Sequence, residues 1–297
     1  MNTLTQLFKL IRIHHWSKNF LVFVPLIVSP DISSLESWKI LIIAFFSFNL
    51  CASSNYIFND ILDIENDRIH PQKKYRPLAS GYFKLYEAIC FAIFILLIAI
   101  YLASFLNIFF GAALFLYFFI AQIYSFKIKS KHILDCITLS ILYIMRLIAG
   151  AVAINLTISF WLLSFSLFFF FSLALLKRYS ELANHSSGKS LNFGRSYKSS
   201  DMSLILCLGV PSALLSILVI GLYLNDEKIY YLYEAPNLLF ALLLTSLTWV
   251  SLIWSKAYRG EEINDPISFA LNDPSSLILF FLSILIFIIS RFGMLPI

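Results

Sequence analysis

The feature that most constrains this chain is a series of nine apolar stretches, most of them long enough to cross a lipid bilayer. Hydrophobic residues make up 60% of the 297 positions and charged residues 13%, whereas a typical soluble domain has about 25% charged residues. This composition excludes soluble globular, disordered and disulfide-stapled secreted proteins. It predicts an all-α, polytopic membrane protein forming a single domain over residues 1–297, with spans at residues 19–30, 38–58, 86–106, 108–126, 134–154, 158–177, 203–224, 237–255 and 276–293.

Positive charge is distributed unevenly among the connections between these stretches. Of the 22 Lys and Arg residues, 18 fall in one alternating set of connections, three fall in the other set, and Arg146 lies inside a span. Because cytoplasmic loops are enriched in Lys and Arg, nine spans predict a cytoplasmic N-terminus and an external C-terminus in a bacterial inner membrane. Two long cytoplasmic loops, about 59–84 and 177–202, would then form a cap over a water-facing site.

The most informative polar sequence is NDILDIEND at residues 59–67, which follows the second apolar stretch. Asn59, Asp63 and Asp67 recur every four residues, so on a helix they line one face, and Asp60 falls on the same arc. Carboxylate and amide oxygens suit Mg²⁺, which also binds substrate phosphates. The sequence therefore predicts that these four residues are both the metal ligands and the catalytic set.

A basic run follows the acidic residues within the same predicted loop. A metal ion with nearby Lys and Arg is a usual arrangement for binding a diphosphate, so the run is expected to cover the substrate phosphates. Its members are Arg68, Lys73, Lys74 and Arg76. Two other interpretations are open on these residues alone: a solvated helix end with ordinary charge pairs, and an ion-coupled transporter. Transporters tend to place ionisable groups near the midplane, whereas this cluster lies at the membrane boundary.

These residues resemble the first aspartate motif of the UbiA superfamily of intramembrane prenyltransferases. The resemblance consists of NxxxDxxxD at 59–67, followed by Arg76-Pro77-Leu78 and Gly81. It implies nine helices around a central, lipid-accessible cavity, with Mg²⁺ and a diphosphate bound under the cytoplasmic loops.

Other segments are similar to the decaprenyl-phosphate phosphoribosyltransferase branch of that superfamily. RIHHWSKNFLVFVP at 12–25 resembles its Arg-x-x-x-Trp-x-Lys-Asn opening, and RGEEINDPISFALNDPSS at 259–276 resembles its last loop. Its middle and its second loop are matched by Tyr124-Ser125, Lys127, Lys129, Asp135, Arg146, Gly150, Lys177-Arg178, Glu181, Arg195 and Tyr197. The resemblance implies transfer of 5-phosphoribose from phosphoribosyl pyrophosphate to a polyprenyl phosphate, with release of pyrophosphate. The product would be a lipid-linked pentose for cell-envelope glycan synthesis, and no nucleic acid is expected as a partner.

This resemblance makes several isolated polar residues candidates for substrate binding. Lys18, Lys127 and Lys177 are candidates for binding the acceptor phosphate or the 5-phosphate. Asp135 is expected near the cytoplasmic end of its helix, where it could orient Tyr124 or a lysine. The nucleophile is already an anionic phosphate oxygen, so the reaction requires no strong general base.

Arg146 and Glu181 complete the predicted substrate-binding set. Arg146 lies near the middle of a span, where a cation is costly. Two roles for it are open: lining a polar cavity, and pairing with backbone carbonyls where helices cross. Glu181 is included through its place in the second-loop motif.

One departure from the superfamily pattern bears on the choice of substrate. Enzymes that use a prenyl diphosphate usually carry a second Asp-rich motif in the second long loop. Here residues 177–202 contain two acidic residues, Glu181 and Asp201, and five Lys or Arg. This inventory favours the phosphoribosyl branch. The alternatives are an ordinary prenyltransferase acting on an aromatic or haem acceptor, and a lipid-phosphate transporter without chemistry.

Overall fold

A computed structural model describes residues 3–70, 72–185, 197–227, 229–263 and 265–293 of the chain. All regular secondary structure within these ranges is helical, which confirms the predicted all-α class. The α-helices are α1 (Thr3–Leu10), α2 (Val24–Ile27), α3 (Leu35–Leu62), α4 (Ile64–Ile69), α5 (Leu85–Ser104), α6 (Ile108–Ile123), α7 (Leu134–Ala153), α8 (Phe160–His185), α9 (Met202–Tyr223), α10 (Ile229–Leu232), α11 (Phe240–Tyr258), α12 (Pro266–Ala270) and α13 (Pro274–Phe292). Five 3₁₀ segments occur at Ile13–Phe23, Pro30–Ser33, Lys73–Tyr75, Ser199–Asp201 and Pro236–Leu239, and Tyr124–Ile128 forms a π-helical turn.

Eight helices in the described ranges are long and apolar enough to cross a membrane, and each coincides with a predicted span. The chain is therefore a multi-pass membrane protein. The remaining predicted span, residues 19–30, is helical in a different form: the 3₁₀ segment Ile13–Phe23 is followed by α2 and the 3₁₀ turn Pro30–Ser33. Pro25 and Pro30 each lack the backbone N–H that a continuous α-helix would need at those positions.

The described chain divides into two compact units. The first contains the described residues up to Ile158, with α1 to α7, and the second contains those from Ser159 onward, with α8 to α13. The single domain expected over residues 1–297 stays a prediction.

Helices α3 and α5 pack closely in the first unit because small residues line their contact. The buried face of α5 carries four alanines, Ala88, Ala92, Ala99 and Ala103. From α3, Ser47 Oγ donates a hydrogen bond to the Ala99 carbonyl (2.8 Å) and Ser54 Oγ donates to the Ala92 carbonyl (3.0 Å). Small side chains let the two backbones approach, and serine hydroxyls then join them, as is common within membranes.

The second unit shows the same kind of close packing. A Cβ atom at Gly209 of α9 would lie 2.3 Å from the ring of Trp254 on α11, so only glycine fits there. The Trp254 indole N–H in turn donates to Ser172 Oγ of α8 at 3.1 Å. One tryptophan thus links three helices of this unit.

The acidic residues lie where α3 ends. The helix begins at a cap in which Ser34 Oγ accepts from the Ser37 N–H (3.2 Å), and it ends at Leu62. Asp63 leaves the helical conformation (φ −98°, ψ 6°) before α4 continues the chain. The Asp67 N–H still donates to the Asp63 carbonyl at 2.8 Å, so these two residues keep a helical i, i+4 hydrogen bond across the turn.

Candidate active site

The candidate site is built on one polar face of α3 that continues through the turn into α4. Polar residues recur on this face at steps of three and four residues, which is the spacing of neighbours on a helix surface. They are Asn49, Ser53, Tyr56, Asp60, Asp63 and Asp67. Asp60 and Asp67 are each only 3% exposed, and buried carboxylates of this kind need partners.

Two arginines from distant parts of the first unit hold Asp60. Arg12 forms an ion pair with Asp60 Oδ1, and Arg76 Nη1 lies 3.1 Å from the same oxygen. Arg12 has a left-handed backbone (φ 52°), which is uncommon outside glycine. Its guanidinium also lies 5.1 Å from the centroid of the Tyr56 ring. This junction between α1 and the following 3₁₀ segment therefore places Arg12 against the acidic face.

Arg76 also connects Asp60 with Asp67. Its Nη1 atom lies 2.6 Å from Asp67 Oδ2, so one guanidinium nitrogen contacts two buried carboxylates. Arg76 directly follows the 3₁₀ turn Lys73–Tyr75, and its N–H donates to the Lys73 carbonyl at 2.9 Å. Two like charges near each other are unfavourable, and the cation shared between them offsets their repulsion.

Asp63 is held by a separate set of contacts. Asn59 Nδ2 donates to Asp63 Oδ2 at 3.2 Å, and Lys129 forms an ion pair with Asp63 Oδ1. Lys129 follows the π-helical turn Tyr124–Ile128 and donates its N–H to the Tyr124 carbonyl at 3.0 Å. Single π-helical turns inside α-helices are frequent at functional sites. The turn follows α6 directly and places Lys129 against Asp63.

The predicted metal ligands form two sets, Asn59 with Asp63, and Asp60 with Asp67. Within the described ranges, no group of three or more acidic, His or Cys side chains is arranged to hold a metal ion. The donor chemistry nevertheless fits Mg²⁺, because carboxylate and amide oxygens are its usual protein ligands. Asp60 and Asp67 both contact the same nitrogen of Arg76, Nη1, so they lie close enough for a single cation to contact both. A metal ion here would replace or join the basic side chains that now neutralise these acids.

The other predicted basic residues of this loop are more exposed than Arg76. Arg68 pairs with Glu65 at 3.1 Å, and both side chains are at least half exposed. Lys74 is exposed with its Nζ 5.1 Å from the centroid of the Tyr75 ring, and Lys73 is half-buried at the start of the 3₁₀ turn. These lysines and Arg68 are therefore placed to meet a ligand from solvent.

The remaining predicted binding residues of the first unit lie at different depths. Tyr124 is half-buried at the start of the π-helical turn, and Lys127 is exposed in the same turn. Asp135 is fully buried in the first turn of α7, and Lys18 is 9% exposed in the 3₁₀ segment Ile13–Phe23.

Arg146 is 4% exposed and donates to three groups of the first unit. Its Nε donates to Asn19 Oδ1 (2.6 Å), its Nη1 to the Leu142 carbonyl, and its Nη2 to the Tyr117 hydroxyl (3.3 Å). The rings of Phe48, Tyr117 and Tyr143 lie 5.0–5.7 Å from its Cζ atom. The Leu142 carbonyl belongs to α7 itself, whereas the bonds to Asn19 and Tyr117 join α7 to the 3₁₀ segment Ile13–Phe23 and to α6. Both roles predicted for Arg146 from the sequence stay open.

In the second unit, the predicted second-loop residues lie near the end of α8. Arg178, 1% exposed, donates from Nη1 to Glu181 Oε2 at 2.6 Å, and Lys177 beside it is half-buried. Asp201 accepts from the Lys198 N–H at 2.8 Å. Lys189 and Arg195 lie outside the described residues.

The segment before α13 is tied to α8 and α11 by defined contacts. Ser180 Oγ accepts from the Ile263 N–H at 2.8 Å, and Asp265 and Asp273 cap α12 and α13. Asp273 also forms an ion pair with Lys256. Although burial acts to raise it, hydrogen bonds from Lys256 and Ser276 hold the pKa of Asp273 below its usual range.

Sequence reasoning did not assign Arg12 and Lys129 to the site, although both lie in the motifs that carry the resemblance. Arg12 is 48 residues from Asp60 and Lys129 is 66 residues from Asp63. The sequence does place Arg12 and Lys129 in short basic segments, near Trp16 and Tyr124, which could have marked them as candidates. It does not show which carboxylate each would contact, because that depends on how distant helices pack.

Comparison with known proteins assigns this chain to a family of membrane transferases. The profile of the UbiA prenyltransferase family matches residues 29–285. The chain belongs to the UbiA prenyltransferase family.

Three relatives show how far the similarity extends. The uncharacterized protein y4nM of Sinorhizobium fredii is 35% identical over 268 residues, which are 90% of this chain and 52% of that protein. The chain thus spans about half the length of this relative. The nodulation protein NoeC of Azorhizobium caulinodans is 32% identical over 90% of this chain and 87% of its own. The decaprenyl-phosphate phosphoribosyltransferase of Mycolicibacterium smegmatis is 29% identical over 71% of this chain and 68% of its own.

A solved structure supports the fold independently of sequence. A UbiA homologue from Archaeoglobus fulgidus, bound to GPP and Mg²⁺, superposes with a TM-score of 0.70 at 17% identity. The match covers 95% of this chain and 97% of that protein. At this level of identity the likeness concerns the fold alone.

Proposed function

We propose that this protein is a Mg²⁺-dependent transferase that moves 5-phosphoribose from phosphoribosyl pyrophosphate to a polyprenyl phosphate. The observation that carries the proposal is the alternation of buried acids and basic side chains at the end of α3: Asp60 with Arg12, and Asp67 with Arg76. Acids that hold a metal and bases that hold phosphates are the two requirements for binding a metal–diphosphate.

In this proposal the acids hold Mg²⁺ and the bases bind the diphosphate. Asp60, Asp63 and Asp67, with the Asn59 amide, supply oxygens of the type that Mg²⁺ prefers. When bound, Mg²⁺ neutralises negative charge on the leaving diphosphate. Arg76 and the other basic partners of the acids would then turn from carboxylate to phosphate oxygens.

The reaction itself is a substitution at C1 of the ribose. An oxygen of the lipid phosphate forms the new C1–O bond, while the bond between C1 and the diphosphate oxygen breaks and pyrophosphate leaves with the electron pair. Preorganised positive charge around the leaving group is the main contribution that such a site can make.

Two observations favour phosphoribose over a prenyl group as the transferred unit. Residues 177–202 contain two acidic residues, Glu181 and Asp201, which are twenty residues apart and so form no second Asp-rich motif. One acidic cluster suits one metal-bound diphosphate, and the additional basic residues suit further phosphates. Similarity to the Mycolicibacterium smegmatis decaprenyl-phosphate phosphoribosyltransferase supports the same choice.

The proposal also includes a bacterial inner membrane location, with the N-terminus in the cytoplasm and the C-terminus outside. This orientation is derived from the distribution of Lys and Arg among the loops.

The test uses purified protein, Mg²⁺, polyprenyl phosphate and labelled phosphoribosyl pyrophosphate. A labelled lipid that no longer forms in EDTA supports the proposal. Transfer only from a prenyl diphosphate to an aromatic acceptor would establish the alternative prenyltransferase, and lipid-phosphate transport without a product would establish a transporter.

The same assay tests the acidic residues. Asp67→Asn should lower the rate by roughly 100-fold or more, in the range seen when one electrostatic contact to a transition state is lost. Glu65→Gln is the matched control, because Glu65 is 81% exposed and pairs with Arg68. Equal rates for Asp67→Asn and Glu65→Gln would remove Asp67 from the metal site.

A further inference from the structure

The segment Ile13–Phe23 is a 3₁₀ helix of eleven residues, far longer than the usual three or four. With three residues per turn, every third side chain shares a row along such a helix. The sequence therefore presents two functional rows. The first is Trp16, Asn19 and Val22, and the second is His15 and Lys18, with Arg12 directly before the segment.

The first row docks the segment onto α3 and α7. Trp16 Nε1 donates to Ser53 Oγ at 3.1 Å, and Asn19 Nδ2 donates to Asn49 Oδ1 at 2.6 Å. Val22 is fully buried. Its carbonyl oxygen would lie 1.9 Å from a Cβ at Gly150 of α7, so this contact brings the two backbones together.

These contacts define how the segment lies along α3. Arg12 meets Asp60, the rings of His15 and Tyr56 are 5.4 Å apart, and Asn19 meets Asn49. The segment thus runs antiparallel to α3, from the end that carries the acids toward the middle of that span. Seven residues of 3₁₀ helix rise about 14 Å and eleven residues of α-helix about 16 Å, so the two paths agree.

Arg12, just before the segment, and Lys18, within its second row, place cations at two depths. Arg12 lies at the acidic cluster, and Lys18, six residues later, lies about 12 Å deeper along the segment. Lys18 is 9% exposed. A buried ammonium in a membrane protein is costly and typically marks a functional position. In a low-dielectric environment it also attracts an anion more strongly than an exposed lysine does.

Arg146 lies beside this position and fixes it. Its guanidinium donates three hydrogen bonds, to Asn19 Oδ1, the Leu142 carbonyl and the Tyr117 hydroxyl, and these bonds hold the segment against α6 and α7. Asn19 directly follows Lys18 and is bonded to both Arg146 and Asn49. The polar seam Arg146–Asn19–Asn49 therefore sets the depth of Lys18.

We propose that Lys18 binds the phosphate of the lipid acceptor, on the membrane side of the acidic cluster, and that Arg146 is the positioning residue that holds Lys18 there. The inference rests on the proposed transfer to a lipid phosphate. A diphosphate bound at Asp60 and Asp67 occupies the end of α3. The acceptor carries its phosphate on a tail that lies in the bilayer, so a cation on the membrane side of the acidic cluster suits this phosphate, and the segment keeps the two phosphate sites apart.

The kinetic test compares the two substrates. Lys18→Met should raise the KM for polyprenyl phosphate about 10- to 100-fold, the effect of losing a hydrogen bond to a charged group, and leave the KM for phosphoribosyl pyrophosphate within about twofold. Lys18→Arg should restore part of the loss. Lys84→Met, which removes an exposed lysine, is the control. A larger effect on the pyrophosphate donor would overturn the assignment.

A double-mutant cycle tests the positioning role of Arg146. If Arg146 acts through Lys18, Arg146→Met should weaken acceptor binding about 10-fold in the wild-type background and much less in Lys18→Met, because effects at coupled sites are not additive. Ser54→Ala, which removes a buried hydrogen bond to α5, controls for general loosening. Additive effects, or equal loss of acceptor binding in Ser54→Ala, would overturn this role.

A binding experiment separates failure of this inference from failure of the proposed reaction. Farnesyl phosphate, a short lipid phosphate, should bind the full-length protein and lose about 10-fold or more in affinity in Lys18→Met, whether or not transfer from phosphoribosyl pyrophosphate is observed. Farnesol tests the contribution of the phosphate, and inorganic phosphate tests whether the lipid tail is required. Equal affinity of wild type and Lys18→Met for farnesyl phosphate would overturn the site.

Discussion

Replacing Arg76 by methionine tests whether a cation bridges the two buried acids of the site. The substitution keeps an apolar chain of similar length and removes the guanidinium that contacts Asp60 at 3.1 Å and Asp67 at 2.6 Å. Asp60 retains Arg12 as a partner, so Asp67 bears most of the effect. The free energy of unfolding should therefore fall.

The size of the effect follows from burial. Removing one partner of a fully buried ion pair costs about 3–5 kcal/mol. The Arg76 side chain is 28% exposed, and solvent screening reduces the contribution, so we expect roughly 2 kcal/mol. For a protein of this size or somewhat smaller, each kcal/mol lowers the unfolding midpoint by about 2–4 °C, which gives a decrease of roughly 4–8 °C.

Thermal unfolding of the purified protein in detergent, with and without Mg²⁺, measures this effect independently of catalysis. If Asp60 and Asp67 can hold a metal, Mg²⁺ should replace the missing guanidinium and raise the midpoint of Arg76→Met more than that of the wild type. A metal at ten times its Kd stabilises the folded protein by about 1.4 kcal/mol. Much of the lost stability should thus return.

Arg68→Met is the matched control for this experiment. It removes an arginine from the same loop whose pair with Glu65 is largely solvated, so its loss should cost less than about 1 kcal/mol. An equal decrease for Arg68→Met and Arg76→Met would show that the shared cation adds no particular stability. An equal Mg²⁺ response in Arg76→Met and wild type would refute metal binding between Asp60 and Asp67.

Two further predictions concern packing and pH. Gly150→Ala should lower stability by roughly 1–3 kcal/mol, because the new Cβ would meet the Val22 carbonyl oxygen at 1.9 Å; an unchanged unfolding midpoint would contradict that close approach. Lys256→Met should destabilise the protein at neutral pH, since the lowered pKa of Asp273 means that its stabilising contribution is present above the usual Asp range. That contribution disappears as the pH falls, so thermal midpoints of variant and wild type should converge in acid; a constant difference down to low pH would contradict it.

The described structure separates what local sequence predicts well from what it does not. Eight spans appear where the apolar runs predict them, because lipid imposes both length and composition on a crossing helix. The four-residue spacing of Asp63 and Asp67 likewise survives, although the helix turns at Asp63. These features depend on neighbours in the chain and on the solvent.

The 3₁₀ form of Ile13–Phe23 illustrates the opposite case. Its sequence predicts only a short, imperfect apolar span. The observed form depends on hydrogen bonds from Trp16 and Asn19 to residues of α3, and on the space left by Gly150 of α7. These partners are distant in sequence, so no local pattern contains them.

By itself, the sequence determined that the chain is an all-α membrane protein with one acidic face and a basic loop beside it. The tertiary structure decided which cation meets which acid: Arg12 and Arg76 at Asp60, Arg76 at Asp67, and Lys129 at Asp63. The physical reason is the separation in sequence over which each interaction acts. Hydrophobic run length and helical spacing act over neighbouring residues, whereas a buried charge is neutralised by whichever opposite charge the packing of distant helices brings within contact.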